Sequence, residues 1–238
     1  MGDAKEYHIH EHCRLELEED EIFRVTPYSL FLAEYIPKCL DLTDKTRVLD
    51  FGTGCGIQAL TAARCGAGQV YGVDIHPQAL DLASRNQRRN SVHQFRTMNN
   101  HEPGWEARLE GEQVDYIVSN PASLPAPNAL DATFWAGLNG HDMIEELIQT
   151  ASRVLRPSGI LLFVHTSLVN LHHTLLLLDA AGFAIKIVAI KKLGFRDFYL
   201  PLLPHWEQLR AQCFAYWTQE EGGCFELLYL ISAGKNEL

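Results

Sequence analysis

From Tyr7 to Leu17 the odd positions are mostly apolar (Tyr7, Ile9, Cys13, Leu15, Leu17) and the even positions are polar. A period of two predicts a half-buried strand. The acidic run at 18–21 breaks the pattern, and Ile22–Val25 is expected to form the second strand of a hairpin. Pro27 suits the first turn of a helix that runs to about Leu40. Beyond it, apolar runs and helical spacings alternate. Strands are expected at 47–51, 69–74, 94–97, 115–120, 160–165, 183–192 and 225–233. Helices are expected at 57–65, 77–90, 143–155 and 168–181, the third stopping before Arg156-Pro157-Ser158-Gly159. Such alternation implies an α/β fold with a mostly parallel seven-stranded sheet, helices on both faces and an N-terminal β-hairpin. Residues 1–40 are expected to form a cap and 41–238 the main domain.

In sheets of this kind ligands bind at the carboxyl ends of the strands, near the topological switch point. The strands ending at Asp50 and Asn120 should therefore deliver their last residues to a site. After Asp50 comes "FGTGCG", in which Gly52, Gly54 and Gly56 alternate before a helix begins. Glycine allows a tight turn and lets a ligand approach the backbone. The spacing differs from G-x-G-x-x-G, whose third glycine lies one residue later. An acid beside the loop is poor company for a pyrophosphate and good company for a cation. A second acid, Asp74, ends the next strand at the spacing expected of a ribose-binding carboxylate. Two acids and a glycine loop describe a site for a nucleoside with a positively charged tail, which is the chemistry of S-adenosylmethionine.

The stretch "VLDFGTGCGIQALTAARCGAGQVYGVDIHPQALDLASRNQRRN" resembles the core of the class I S-adenosylmethionine-dependent methyltransferases, particularly the ribosomal-protein L11 methyltransferases and the small-domain group. The later "NP…GLNGHDMIEELIQTASRVLRPSGILLFV" resembles the protein glutamine methyltransferases that act on release factors. The resemblance spans roughly Phe23 to Val164. It implies a Rossmann-like fold, with 41–238 as the cofactor-binding methyltransferase domain. By position, it implies that Gly52, Thr53, Gly54 and Gly56 wrap the amino-acid and ribose portions of the cofactor. Asp50 then sits near its ammonium, Asp74 on the ribose hydroxyls and Ile75 beside the adenine. Where the family usually has an acid for the adenine amino group, Asn99 and Asn100 stand instead, so one of these amides is expected to serve.

At the reacting end the sequence reads "YIVSNPASLP". The related enzymes carry Asn-Pro-Pro-Tyr, in which the Asn carbonyl and a backbone carbonyl hold a planar NH2 and the Tyr ring stacks on it. Here Asn120 and Pro121 keep the first contact. Ser123 brings no ring, so the aromatic wall must come from elsewhere: Tyr28, Phe134, Trp135 and Phe198 are candidates. Asn120 is expected at the junction of cofactor and acceptor. His165, at a strand end, and His141 are candidate general bases. The long loop 121–140 and the aromatic-rich 195–206 look like parts of a substrate lid. Alternation would put His8, His10 and His12 on one strand face, but no distant partner spacing supports a zinc site, so no metal is expected.

The net charge of −10 argues against a nucleic-acid surface, which needs clustered Lys and Arg. No apolar run reaches membrane-spanning length, no signal peptide is visible, and six scattered cysteines fit a reducing cytoplasm. The expectation is a cytoplasmic monomer or homodimer. The acidic balance, the altered Asn-Pro motif and the aromatic loops point first to a small-molecule acceptor, planar or aromatic. Alternatives are a protein methyltransferase acting on a glutamine amide or another side chain, a non-catalytic cofactor-binding scaffold, and a nicotinamide oxidoreductase.

Overall fold

A computed structural model describes residues 4–109, 113–128 and 135–236. A hairpin of β1 (Lys5–His10) and β2 (Cys13–Leu17) opens the chain, followed by α1 (Pro27–Cys39). Then come β3 (Arg47–Phe51), α2 (Ile57–Arg64), β4 (Gln69–Asp74), α3 (Pro77–Arg89), β5 (Phe95–Asn99) and β6 (Val114–Ser119). The remainder is α4 (Asp142–Val154), β7 (Leu155–Thr166), α5 (Leu171–Ala180), β8 (Phe183–Gly194), α6 (Leu203–Ala211), β9 (Thr218–Glu220) and β10 (Gly223–Lys235).

The main sheet has the order β5-β4-β3-β6-β7-β10-β8, with the three-residue β9 pairing β10 as an eighth strand. Pairings from β5 through β7 are parallel, and β10 is antiparallel to both β7 and β8. The mostly parallel, Rossmann-like α/β architecture read from the sequence is thus present, with one short strand more than expected. The chain winds outward from β3 through β4 to β5, then reverses to β6 and β7. The switch point lies between β3 and β6, where Asp50 and Asn120 emerge. Every residue of β3 is buried, as a central parallel strand covered on both faces must be. One core unites the hairpin with α1, α2 and α3. A second lies on the opposite face under α4 and α5, and a third packs the 195–217 insertion around Trp206 and Trp217.

The hairpin differs from expectation. Its turn falls at Glu11-His12, and Ile22–Val25 is not a strand. Tyr7 pairs with Leu15 and Lys5 with Leu17, so odd positions face odd positions across the ladder. The turn pairs His10 with Cys13, and an irregularity between His8 and His10 restores the parity, so the period of two runs on through the turn and alternation alone could not reveal it. His12 lies in that turn, and exposed His8 sits 3.3 Å from Glu6.

Two asparagines one helical turn apart dock β2 onto α3. Asn86 Oδ1 accepts from the Glu18 N–H (2.7 Å), and its Nδ2 donates to the Glu18 carbonyl (3.0 Å) and to that of Cys55 (2.9 Å). Asn90 does the same for Glu16, at 3.0 and 2.7 Å. The buried Glu18 carboxylate accepts from Arg85 (3.0 Å) and Arg89 (2.7 Å). The amides thus satisfy backbone groups that an unpaired strand edge would leave bare.

Candidate active site

Two adjoining cavities open at the switch point. The larger, about 420 Å³, is lined by the glycine loop, the β4 end, Asn100, the 22–29 segment and the start of α4. The smaller, about 100 Å³, is lined by Tyr28, residues 120–124, Thr166, Leu168, Arg196, Phe198 and Tyr199. They share Thr26, Asn120 and Ala122.

The loop's shape follows from its glycines. Gly52, Gly54 and Gly56 have φ of +75, +53 and +86, the left-handed region that side chains resist. Gly52, Thr53 and Gly54 line the larger cavity. Gly56 does not; a Cβ there would lie 3.2 Å from Ala83, so it serves the turn into α2. Asp50 lies behind the loop, fully buried. Its Oδ2 accepts from Thr53 Oγ1 (2.7 Å) and the Ala59 N–H (3.1 Å), while Oδ1 is buried with no partner. Burial pushes its pKa up to about 7. Asp74 lines the cavity and accepts from the Gly54 N–H (3.1 Å) and the His76 N–H (3.0 Å); burial raises its pKa too. Ile75 lies exposed at the rim. Of the two asparagines, Asn100 reaches the cavity, its Oδ1 buried and unpartnered, whereas Asn99 accepts from the His101 N–H outside it.

The wall also holds residues that the sequence did not single out. Gln58 donates to the Ser29 carbonyl (3.0 Å), leaving its buried Oε1 without a partner. Ile22, Phe23 and Arg24 line the mouth. Asp20 fixes this segment by accepting from the Ile22 N–H (2.8 Å), and Glu19 by accepting from the Val25 N–H (3.0 Å). Buried acceptors without donors are costly. Two of them, on Gln58 and Asn100, belong to residues that line one cavity beside Asp74, with the third on Asp50 behind the loop, and they fit a ligand rich in donors. S-adenosylmethionine has an ammonium, two ribose hydroxyls and an adenine amine, and the cavity volume is of ligand size.

At the junction, Asn120 Nδ2 donates to Ser29 Oγ (3.4 Å). Ser29 and Thr26 form a capping box at the start of α1, each hydroxyl accepting the other's backbone N–H at 3.2 Å. With Nδ2 engaged, Oδ1 is the end of the amide left to accept. Pro121 and Ser123 line the smaller cavity, which Tyr28, Phe198 and Tyr199 furnish with the rings that Ser123 lacks. Trp135 lines the larger cavity and donates to the Ala126 carbonyl at 3.0 Å. Phe134 lies outside the described residues.

Behind the smaller cavity runs a directed chain of hydrogen bonds. Tyr28 and Thr166 both donate to the buried Glu226 carboxylate. With its O–H directed at Glu226, Tyr28 accepts from the Tyr199 hydroxyl at 2.9 Å, which accepts from Arg196 Nη2 at 2.8 Å. Burial, with Glu226 beside it, holds the Tyr28 pKa well above its ordinary value, so this phenol is no base.

His165 is not brought to the site. It is fully buried and lines neither cavity. Its Nε2 meets Thr174 Oγ1 at 2.9 Å, and burial pushes its pKa down to about 3. His141 is buried against the Asn170 carbonyl (3.2 Å) and also stands apart. His165 is met by α5 through Thr174, and His141 by the β7–α5 connection through Asn170. The 195–206 insertion divides: Trp206 is buried and donates to the Pro125 carbonyl (2.8 Å), whereas Arg196, Phe198 and Tyr199 face the smaller cavity.

The ribosomal protein L11 methyltransferase family (PrmA) matches residues 26–123. A protein of Methanocaldococcus jannaschii, provisionally named a protein N5-glutamine methyltransferase, is 27% identical over 183 residues, covering 74% of this chain and 88% of the relative. The L11 methyltransferase of Paraburkholderia phytofirmans is 42% identical over 79 residues, 33% of this chain and 25% of that one. The chain thus spans most of the archaeal relative and a quarter of the bacterial one. The YcgJ protein of Bacillus subtilis superposes with a TM-score of 0.60 at 17% identity, covering 87% of this chain and 99% of that one.

This chain is an S-adenosylmethionine-dependent methyltransferase. The T. thermophilus 16S rRNA N2 G1207 methyltransferase, solved with AdoMet and guanosine, superposes on the methyltransferase with a TM-score of 0.58 at 20% identity, over 98% of this chain and 50% of that one. The expectation of a small-molecule acceptor is corrected here, because the relatives are named for glutamine and ribosomal-protein methylation. An acidic net charge excludes little about a protein partner, and an altered Asn-Pro motif does not imply a metabolite when the missing ring comes from other elements. Among the described residues, no helix of the methyltransferase is long and apolar enough to cross a membrane.

Proposed function

We propose that this methyltransferase acts on a side-chain nitrogen of a protein, with a glutamine amide as the acceptor. The observation that carries the reading is Asn120, which lines both cavities and has its Nδ2 tied to Ser29. Its Oδ1 accepts one N–H of a planar amide and holds the nitrogen toward the larger cavity. S-adenosylmethionine bound there supplies an electrophilic methyl group on a sulfonium.

Asp74 takes the ribose hydroxyls, Asn100 Oδ1 the adenine amine, and Ile75 and Phe23 the faces of the ring. Gly52, Thr53 and Gly54 leave the backbone open to the amino-acid end, with Asp50 behind them. Residues 1–40 act as a cap through the 22–29 segment. Rate comes from alignment of nucleophile and methyl in a site shielded from water. None of the described groups beside Asn120 is poised as a base, so the proton lost from nitrogen leaves to solvent.

Tritium-labelled cofactor added to fractionated cell extract tests the reading. Label should enter protein, and hydrolysates should contain N5-methylglutamine. Label confined to small molecules or nucleic acid would refute it.

A further inference from the structure

Among the described residues lining the smaller cavity, where Asn120, Tyr28 and Ser123 also stand, Arg196 is the one cation. Its guanidinium lies over the rings of Tyr28 (5.4 Å), Phe198 (4.6 Å) and Tyr199 (5.0 Å). These rings hold the plane of the fork. Nη2 is committed to the Tyr199 hydroxyl at 2.8 Å, while Nε is buried with no partner. Arg196 is therefore fixed in place with donors left over.

The carboxylate nearest this cluster does not compete for them. Glu226 is buried, both of its oxygens accept from Tyr28 and Thr166, and it does not line the cavity. An incoming group meets the guanidinium and not the carboxylate. Charge decides what can enter. A cation on an acceptor side chain would be held against another cation in a confined site, where like charges repel strongly. An oxygen acceptor would supply what the guanidinium lacks.

We propose that Arg196 determines the acceptor's chemical class. It donates to the carbonyl oxygen of the amide whose N–H is held by Asn120, and it rejects side chains bearing an ammonium. This rests on the reading of the cavity as the acceptor end of a methyl-transfer site. Two polar handles then grip one planar group: Asn120 takes the nitrogen side and Arg196 the oxygen side. The rings of Tyr28 and Phe198 supply the walls. The small volume of about 100 Å³ suits an amide-sized group. A donor on the oxygen also draws electron density from nitrogen to oxygen and eases loss of the N–H proton. Arg196 thus acts on binding first and on turnover second.

The test uses the protein saturated with S-adenosylhomocysteine, with N-acetylglutaminamide and N-acetyllysinamide as probes. Arginine Nε–H resonances are followed by NMR during titration. The glutamine probe should shift the Arg196 signal and the lysine probe should leave it in place. Arg196→Gln should weaken glutamine-probe binding at least about tenfold, the loss of one charge-assisted hydrogen bond. Its affinity for S-adenosylhomocysteine should stay near wild type, which shows that the variant is folded. Arg196→Lys, which keeps the charge without the fork, should fall between. Equal or tighter binding of the lysine probe, unchanged binding in Arg196→Gln, or no binding of the glutamine probe would each overturn the proposal. Label transfer to protein is scored separately, so a wrong substrate class and a wrong role for Arg196 give different results.

Discussion

Asn120 and Ser29, 91 positions apart, meet through the Asn120 amide nitrogen and the Ser29 hydroxyl at 3.4 Å. A residue at the first turn of α1 thereby fixes the orientation of the Asn120 amide. Asn120→Ala should lower kcat about 100-fold, the scale of a misaligned nucleophile. Affinity for S-adenosylhomocysteine, measured by calorimetry, should change less than about twofold, since the cofactor's principal contacts lie elsewhere.

Asp74 should matter in the opposite way. It holds the loop through the Gly54 N–H and lines the larger cavity, where the proposed function gives it the ribose hydroxyls. Asp74→Ala should weaken S-adenosylhomocysteine binding about 10- to 100-fold, corresponding to ~1.5–3 kcal/mol for hydrogen bonds to a charged group. Unchanged affinity in a calorimetric titration would remove it from the site.

The buried Asp50 predicts a pH effect. Burial raises its pKa to about 7, above its ordinary value near ~3.9. Between these values the free folded protein holds a proton that the unfolded chain releases, so this group's contribution to stability falls as pH rises through that window. An incoming ligand ammonium favours the charged carboxylate and drives the proton off. At pH ~6.5, S-adenosylhomocysteine binding should release protons, seen as heats that vary with buffer ionisation enthalpy. Asp50→Asn should abolish that release.

His165 should behave as a core residue. Its lowered pKa keeps it neutral at ordinary pH, and its partner is Thr174. His165→Gln should cost ~1–3 kcal/mol of stability through the disturbed buried hydrogen bond. The pH profile of kcat should keep its shape, which steady-state kinetics across pH 6–9, roughly the range where a histidine base would titrate, will check.

Asn86 joins the hairpin to the cofactor site. Asn86→Ala strips partners from Glu18 and Cys55 backbone groups and should destabilise the fold by on the order of 3 kcal/mol. Because residues 22–24 border the larger cavity just beyond the hairpin, the variant should also release S-adenosylhomocysteine faster, measurable by stopped flow.

Of the candidate site, the parts that line the larger cavity at strand ends were the legible ones. The glycine loop, Asp74 and Asn120 each sit where a strand ends, so strand periodicity and residue type locate them. The Ile22–Val25 segment misled, because four residues with apolar ends look the same in a strand and in a bend pinned by Asp20. His165 misled because a strand-end position does not reveal that α5 covers it. Arg196 and Tyr199 lay within the aromatic-rich 195–206 stretch without being singled out, and Glu226 carried no signal at all. They belong to the third of the chain that resembles nothing specific, and their meaning exists only where Tyr28 meets them.

The bond between Tyr28 and Glu226 closes across 198 positions. Contacts of such separation form late, because loop closure must be paid before they stabilise anything. During synthesis, the 26–123 portion can gather its strands and helices around the cofactor loop while β10 is still unmade. The cofactor half can then mature first, and the acceptor half becomes competent only when the last strand slides between β7 and β8. A nascent chain would hold the methyl donor before it could discriminate among recipients.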